Sequence, residues 1–232
     1  EQLPEGGEQL VSLWRDWVND KIDTDFDTLA IDTVDDHILI VTYNRPEVAN
    51  AKNTQMGIDQ KEVFESLYVD TEGYRCAILT GAGQKAFCAG GDLKERNGMT
   101  DADWKRQHAI FEQAVLAMRA CPIPVIAAVN GAAYGGGCET ALTCDFVYAA
   151  SHAKFALTEV TLGIMPGAMG TQNLPRAVGI RRAKEIILTG TPFSAQRWPV
   201  RGGARAAPAA RAAQHRTGIG RGNRQRRTNN GQ

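Results

Sequence analysis

The sequence predicts an α/β core, and three observations carry that prediction. Short apolar, β-branched runs bounded by glycine or proline recur as RCAILTG (75–81) and PVIAAVNG (124–131), the pattern of buried strands in an α/β core, and DFVYAA (145–150) reads as a further strand. Longer stretches with apolar residues at helical spacing lie between them, over 54–68 and 101–119. The 232 residues, 43% hydrophobic and 22% charged, suffice for one globular unit with a substantial core.

The elements follow in chain order. Leu10, Leu13, Trp14, Trp17 and Val18 predict an amphipathic helix over 8–22, inside an N-terminal extension of residues 1–27. TLAIDTV (28–34) and HILIVTY (37–43), separated by Asp35-Asp36, read as a β-hairpin that ends at Asn44-Arg45-Pro46, because proline has no N–H to continue a ladder. Helix 101–119 has Thr100 and Asp101 as candidate caps, and RRAKEIILTG (181–190) predicts a further helix after the strand at 145–150. No apolar run approaches the roughly 20 residues that span a bilayer, and the opening EQLPEGGEQ lacks the order of a signal peptide, so a cytoplasmic location and no membrane partner are expected. Five cysteines without a C-x-x-C pair and four scattered histidines predict reduced thiols and no metal site.

The formal net charge of zero conceals an asymmetry. Residues 197–232 hold nine arginines and no acidic residue, which leaves 17 basic and 26 acidic groups in residues 1–196, a balance of minus nine. Arg, Ala, Gly and Pro make up 24 of those 36 tail residues. Such a composition cannot bury enough apolar surface to offset its ordering entropy, so the tail is expected to be disordered or aberrant.

The candidate chemistry gathers in two glycine-rich segments, each following a buried strand: AFCAGGDL (86–93) and NGAAYGGGCE (130–139). Three successive glycines ahead of a helix expected over 138–143 would expose main-chain N–H groups and a positive dipole end to an anion or a polarised carbonyl, although such a run alone also suits a tight turn. Glu139 follows the glycines, and Glu159 lies in the apolar stretch KFALTEVTLGIMPGAMGTQ. A single such glutamate suits a helix start or the surface. Two in matching contexts suit proton transfer, because apolar neighbours raise a carboxyl pKa.

Together NRPEVANA (44–51), AFCAGGDL (86–93), AVNGAAYGGGCETALTCD (128–145) and FALTEVTLGIMPGAMGTQNLPRAVG (155–179) resemble, in order and spacing, the signature blocks of the enoyl-CoA hydratase/isomerase (crotonase) family. The likeness covers about 28–196. It implies a crotonase-like spiral of repeated ββα turns, a coenzyme A thioester as substrate, no permanently bound cofactor, and homo-oligomers, trimers or hexamers. By motif match it implies an oxyanion hole from the N–H groups of Ala89 and Gly136, with Arg45 and Lys94 binding coenzyme A. Members that add water are similar to this chain in having both glutamates, so Glu139 is expected to hold the water and Glu159 to give and take the C2 proton; an isomerase often keeps one. Met169 stands where the family has a small residue. The likeness stops after Gln196, where relatives continue into a C-terminal helical region; here that region is expected to be missing or replaced, with a frameshift as the expected source of the arginine-alanine-glycine mix. Nine arginines also raise a reading of another class, a protein that binds nucleic acid or an acidic partner through its tail, which the acidic body and a single tail aromatic, Trp198, oppose.

Overall fold

The computed structural model describes residues 25–197 and 205–207. The helix expected over 8–22 lies outside the described residues. Strands β1 (Leu29–Val34) and β2 (Ile38–Tyr43) form the expected antiparallel hairpin. Its turn residues Asp35 and Asp36 both take positive φ, 52° and 56°, which aspartate tolerates better than most side chains. A 3-10 turn (Pro46–Val48) leads to α1 (Thr54–Val69), whose N-cap Asn53 accepts a hydrogen bond from the Met56 N–H.

Three ββα turns then follow, each built from a long strand, a short strand and a helical segment. The first is β3 (Cys76–Gly81), β4 (Ala86–Cys88), α2 (Leu93–Arg96) and α3 (Asp101–Ala120), the last capped by Thr100. The second is β5 (Val125–Val129), β6 (Ala132–Tyr134) and α4 (Gly136–Thr143). The third is β7 (Phe146–Ala150), β8 (Lys154–Ala156), a 3-10 turn (Glu159–Leu162), α5 (Gly170–Val178) and α6 (Ile180–Thr189). Strand β9 (Phe193–Ser194) and a 3-10 turn (Ala195–Arg197) come next.

The long strands form one sheet in the order β1-β2-β3-β5-β7, parallel beyond the hairpin, and the short strands form a second, β4-β6-β8-β9. Stacking one turn on the next therefore pairs like with like in two sheets at once, which is the spiral the family resemblance implied. The alternating residues of β2 and β3 that point inward, Leu39, Val41, Tyr43, Ala77 and Leu79, are fully buried with Phe64 and Leu67 of α1. The second sheet was not foreseen, because its strands are three residues or fewer, and α4 starts at Gly136, two residues before the expected 138.

The tail contributes one further strand. Strand β10 (Arg205–Ala207) lies parallel to β7, pairing Arg205 with Tyr148 and Ala207 with Ala150. A strand added to an open sheet edge is held by main-chain hydrogen bonds, so the composition argument about apolar side chains does not bar it. The rest of residues 198–232, and the expectation of disorder there, lie outside the described residues. No helix among the described residues is long and apolar enough to cross a membrane.

Candidate active site

The two glycine-rich segments meet main chain to main chain. A Cβ added at Gly137 would lie 2.1 Å from the Cys88 carbonyl oxygen, and one at Gly90, where φ is +95°, 2.8 Å from the Tyr134 carbonyl oxygen and 3.3 Å from the Gly136 nitrogen. Only glycine allows α4 to start this close to the end of β4. Gly136 opens α4, so its N–H has no partner within the helix, and among the described residues it donates to none. Beside it is Gly91: a Cβ on Gly136 would be 4.0 Å from the Gly91 nitrogen.

The expectation for Ala89 needs correction here. Its N–H donates to the Ala49 carbonyl at 3.1 Å and is not available to a ligand. Gly91 is the residue with a free amide. In its bridge with Lys52 the hydrogen bonds are made by its neighbours, Lys52 N–H to the Gly90 carbonyl (2.7 Å) and Asp92 N–H to the Lys52 carbonyl (2.8 Å), and the Gly91 N–H donates to nothing among the described residues. The positive φ at Gly90 turns the chain between the two amides. The signal in the sequence was the second glycine of AGGD, where an added Cβ would meet the Arg96 guanidinium at 3.1 Å.

Both glutamates are brought to this place. Glu139, in the first turn of α4, is 3% exposed, and its Oε1 accepts from the N–H groups of Ala168 and Gly170, each at 2.8 Å. Those two bonds lock the carboxylate against the start of α5. Burial raises its pKa, while the amides of Gly170 and Ala168 and the charges of Lys52 and His108 pull it back. Glu159 opens the 3-10 turn and is 8% exposed; its Oε1 faces Gly135, where an added Cβ would be 3.2 Å away. Its Oε2 is buried with no hydrogen-bond partner among the described residues. Burial, with the nearby Glu139 charge adding to it, pushes the Glu159 carboxyl up to about 7. Cys88 and Cys138 are also buried here, and burial raises both thiols, so they sit as neutral packing groups.

A stability consequence follows from Glu159. Its pKa rises from 4.5 unfolded to about 7 folded, so folding favours the protonated form; that contribution is complete below pH 4.5 and is lost as pH rises through about 7. Glutamine at 159 is permanently neutral. The Glu159→Gln variant should therefore gain stability on the wild type between pH 4.5 and 8 by about 1–3 kcal/mol, after allowing for solvent screening. Thermal melts across that range check it, and a gap that does not change with pH would mean the carboxylate is not strained by its surroundings.

The residues expected to bind coenzyme A are placed differently from one another. Lys94 is exposed on α2, with its side chain open to a ligand. Arg45 is turned inward: its Nη1 donates to the Ala51 carbonyl (2.7 Å) and to Asp92 Oδ2 (3.0 Å). Burial alone would raise the Asp92 carboxyl, but the bonds from Arg45 and from the Glu95 and Lys94 amides outweigh it and hold it below the usual range. Arg45 thus ties the N-R-P loop to the G-G-D loop, which is a reason for its presence independent of phosphate. Met169 stands at the N-cap of α5 with φ 73°, a left-handed conformation that explains why the family pattern has a small residue there. The reading of the sequence did not single out Lys52, which is buried beneath α4.

Known proteins resemble this chain in sequence and in fold. The family described as enoyl-CoA hydratase/isomerase matches residues 33–202, slightly past the point where the likeness was expected to stop. The short-chain-enoyl-CoA hydratase of Clostridium acetobutylicum is 41% identical over 152 residues, 66% of this chain and 58% of that protein. The (E)-benzylidenesuccinyl-CoA hydratase of Thauera aromatica is 40% identical over 163 residues, 70% of this chain and 63% of that protein. Among solved structures, enoyl-CoA hydratase from Bacillus anthracis aligns with a TM-score of 0.76 at 38% identity, over 82% of this chain and 73% of that one. The chain spans less than two thirds of the length of these two curated relatives.

Proposed function

The chain belongs to the enoyl-CoA hydratase/isomerase family, and on that premise we propose that it adds water reversibly across the conjugated double bond of a 2-enoyl-coenzyme A thioester. The observation that carries this reading is the buried Glu159 Oε2, without a hydrogen-bond partner among the described residues, set beside a second buried carboxylate and a pair of main-chain amides that are free among those residues. A structural carboxylate would be expected to have its oxygens satisfied.

In this reading the thioester oxygen accepts from the Gly91 and Gly136 N–H groups, which hold the negative charge gathered as the enolate forms. Glu139, fixed by the Ala168 and Gly170 amides, orients the water and takes a proton as its oxygen bonds to C3. Glu159, protonated near neutral pH, delivers the proton to C2. The C2–C3 π bond is replaced by one C–H and one C–O bond; Glu159 ends ionised and Glu139 protonated, and exchange with solvent resets the pair. An isomerase needs only to move a proton between carbons, which one carboxylate can do. The second carboxylate is what favours hydration.

Lys94 belongs to this reading as a phosphate contact of the nucleotide portion, and Arg45 as a residue that holds the loop beside it. A homo-oligomer, trimer or hexamer, in the cytoplasm completes it, supported by the exposed Leu162, Ile164, Met165, Ile180 and Leu188 around the third turn, an apolar surface of the kind another subunit covers. The test is a panel of 2-enoyl-CoA thioesters of different acyl length, with loss of the conjugated chromophore followed on the purified chain. Hydration of at least one is expected. A shifted double bond in a 3-enoyl thioester without hydration would move the assignment to an isomerase. No reaction, with RNA binding that falls steeply with salt and disappears on deleting 197–232, would move it to the arginine tail.

A further inference from the structure

Lys52 is a buried cation that the proposed chemistry does not call on directly. It is 8% exposed; Nζ donates to Thr140 Oγ1 at 2.7 Å and to Gln60 Oε1 at 2.9 Å, and lies 5.1 Å from the centre of the Tyr43 ring. These partners come from α4, α1 and β2, and none is a carboxylate. Burying an amine among neutral partners is costlier than burying a methionine of similar length, so a residue that only filled space would not be a lysine.

The same residue makes two further bonds with its main chain. Its N–H donates to the Gly90 carbonyl and its carbonyl accepts from the Asp92 N–H, so it grips the loop on both sides of Gly91. On the other side, the Thr140 hydroxyl that Nζ contacts donates in turn to the Gly136 carbonyl at 2.7 Å. Lys52 therefore joins the two segments that carry the free amides, one through its backbone and the other through its side chain. Resting on the hydration reading above, we propose that Lys52 is a positioning residue that sets the spacing of the Gly91 and Gly136 N–H groups so that both meet one thioester oxygen.

The inference predicts effects on the polarised state rather than on binding. Removing the tether leaves both amides in place but lets α4 drift relative to the Gly91 loop. Lys52→Met, and separately Thr140→Val, should lower kcat about tenfold or more with KM within about threefold, because the amides matter most when charge develops. Thr140→Ser, which keeps the hydroxyl, should stay near wild type. The Lys52→Met/Thr140→Val double variant should be no worse than the worse single one, since both cut the same tether.

A second readout does not depend on turnover. Butyryl-coenzyme A labelled with 13C at the thioester carbonyl, bound to the full chain, should show its carbonyl stretch displaced to lower frequency, and Lys52→Met or Thr140→Val should lose about half of that displacement or more with little change in Kd. Displacement retained in both variants overturns the proposal, and so does a wild type with no displacement. If the wild type does not hydrate enoyl thioesters but the displacement is present and lost in the variants, the hydration reading fails and the positioning role stands. If Lys52→Met does not fold, the Thr140 pair decides: valine and serine variants with equal displacement and equal kcat sink the idea.

Discussion

Replacing Glu139 or Glu159 with glutamine is expected to lower hydration by about a hundredfold or more in each case, with acyl-CoA binding nearly unchanged. Glutamine keeps the size and polarity of the side chain but cannot take or give the proton. At 139 the two bonds from the Ala168 and Gly170 amides can still be accepted by the amide oxygen, so the loop stays in place and the loss reports chemistry rather than collapse. At 159 no bond is lost at Oε2, because none is made among the described residues. Both groups serve one transition state, so the double variant should be far less than multiplicatively worse. Stopped assays of the three variants beside the wild type check this. Full activity in both single variants would make the glutamates structural and leave only the family assignment standing.

The largest effect on stability is expected at Gly137. Its added Cβ would meet the Cys88 carbonyl oxygen at 2.1 Å, the carbonyl carbon at 2.8 Å and Cβ at 2.9 Å, and two of these are main-chain atoms of β4 that cannot swing aside. Gly137→Ala should cost about 3 kcal/mol or more, a large part of the 5–15 kcal/mol that domains of this kind possess. Gly136→Ala, one residue earlier, meets nothing closer than 3.9 Å and should melt close to wild type. Thermal unfolding of the pair makes the comparison internal. Equal melting temperatures would mean that α4 is not held against the end of β4 as described.

Long strands were legible as continuous apolar runs, CAILTG and VIAAV, in which one face is buried and the other half-buried. The strands AFC, AAY and KFA were not, since three residues rich in alanine carry no period. Glu139 and Glu159 stood out as charges amid glycine and apolar residues, and burial made that contrast meaningful. Main-chain donors are harder: which amide of C-A-G-G-D is free depends on the direction each N–H takes around Gly90, and no side chain records it. Arg45 illustrates the remaining difficulty. A positive charge beside a recognised turn suits a phosphate, yet its partner is Asp92, 47 residues away in sequence and adjacent only once the turns stack.

That stacking has a consequence for how the site comes into being. Gly91 belongs to the first ββα turn, Gly136 and Glu139 to the second, and Glu159 with the Gly170 amide to the third. Each sheet partner of a turn is the corresponding strand of its neighbour, so pairing closes loops of tens of residues, a slow and non-local kind of assembly. No turn holds a working fragment of the constellation by itself; it is created by the pitch of the spiral, as marks on adjacent coils line up only when the coil is wound. A fluctuation that separates two coils would dismantle the chemistry before it unfolded either one, so loss of activity should precede loss of helix signal as the chain is destabilised.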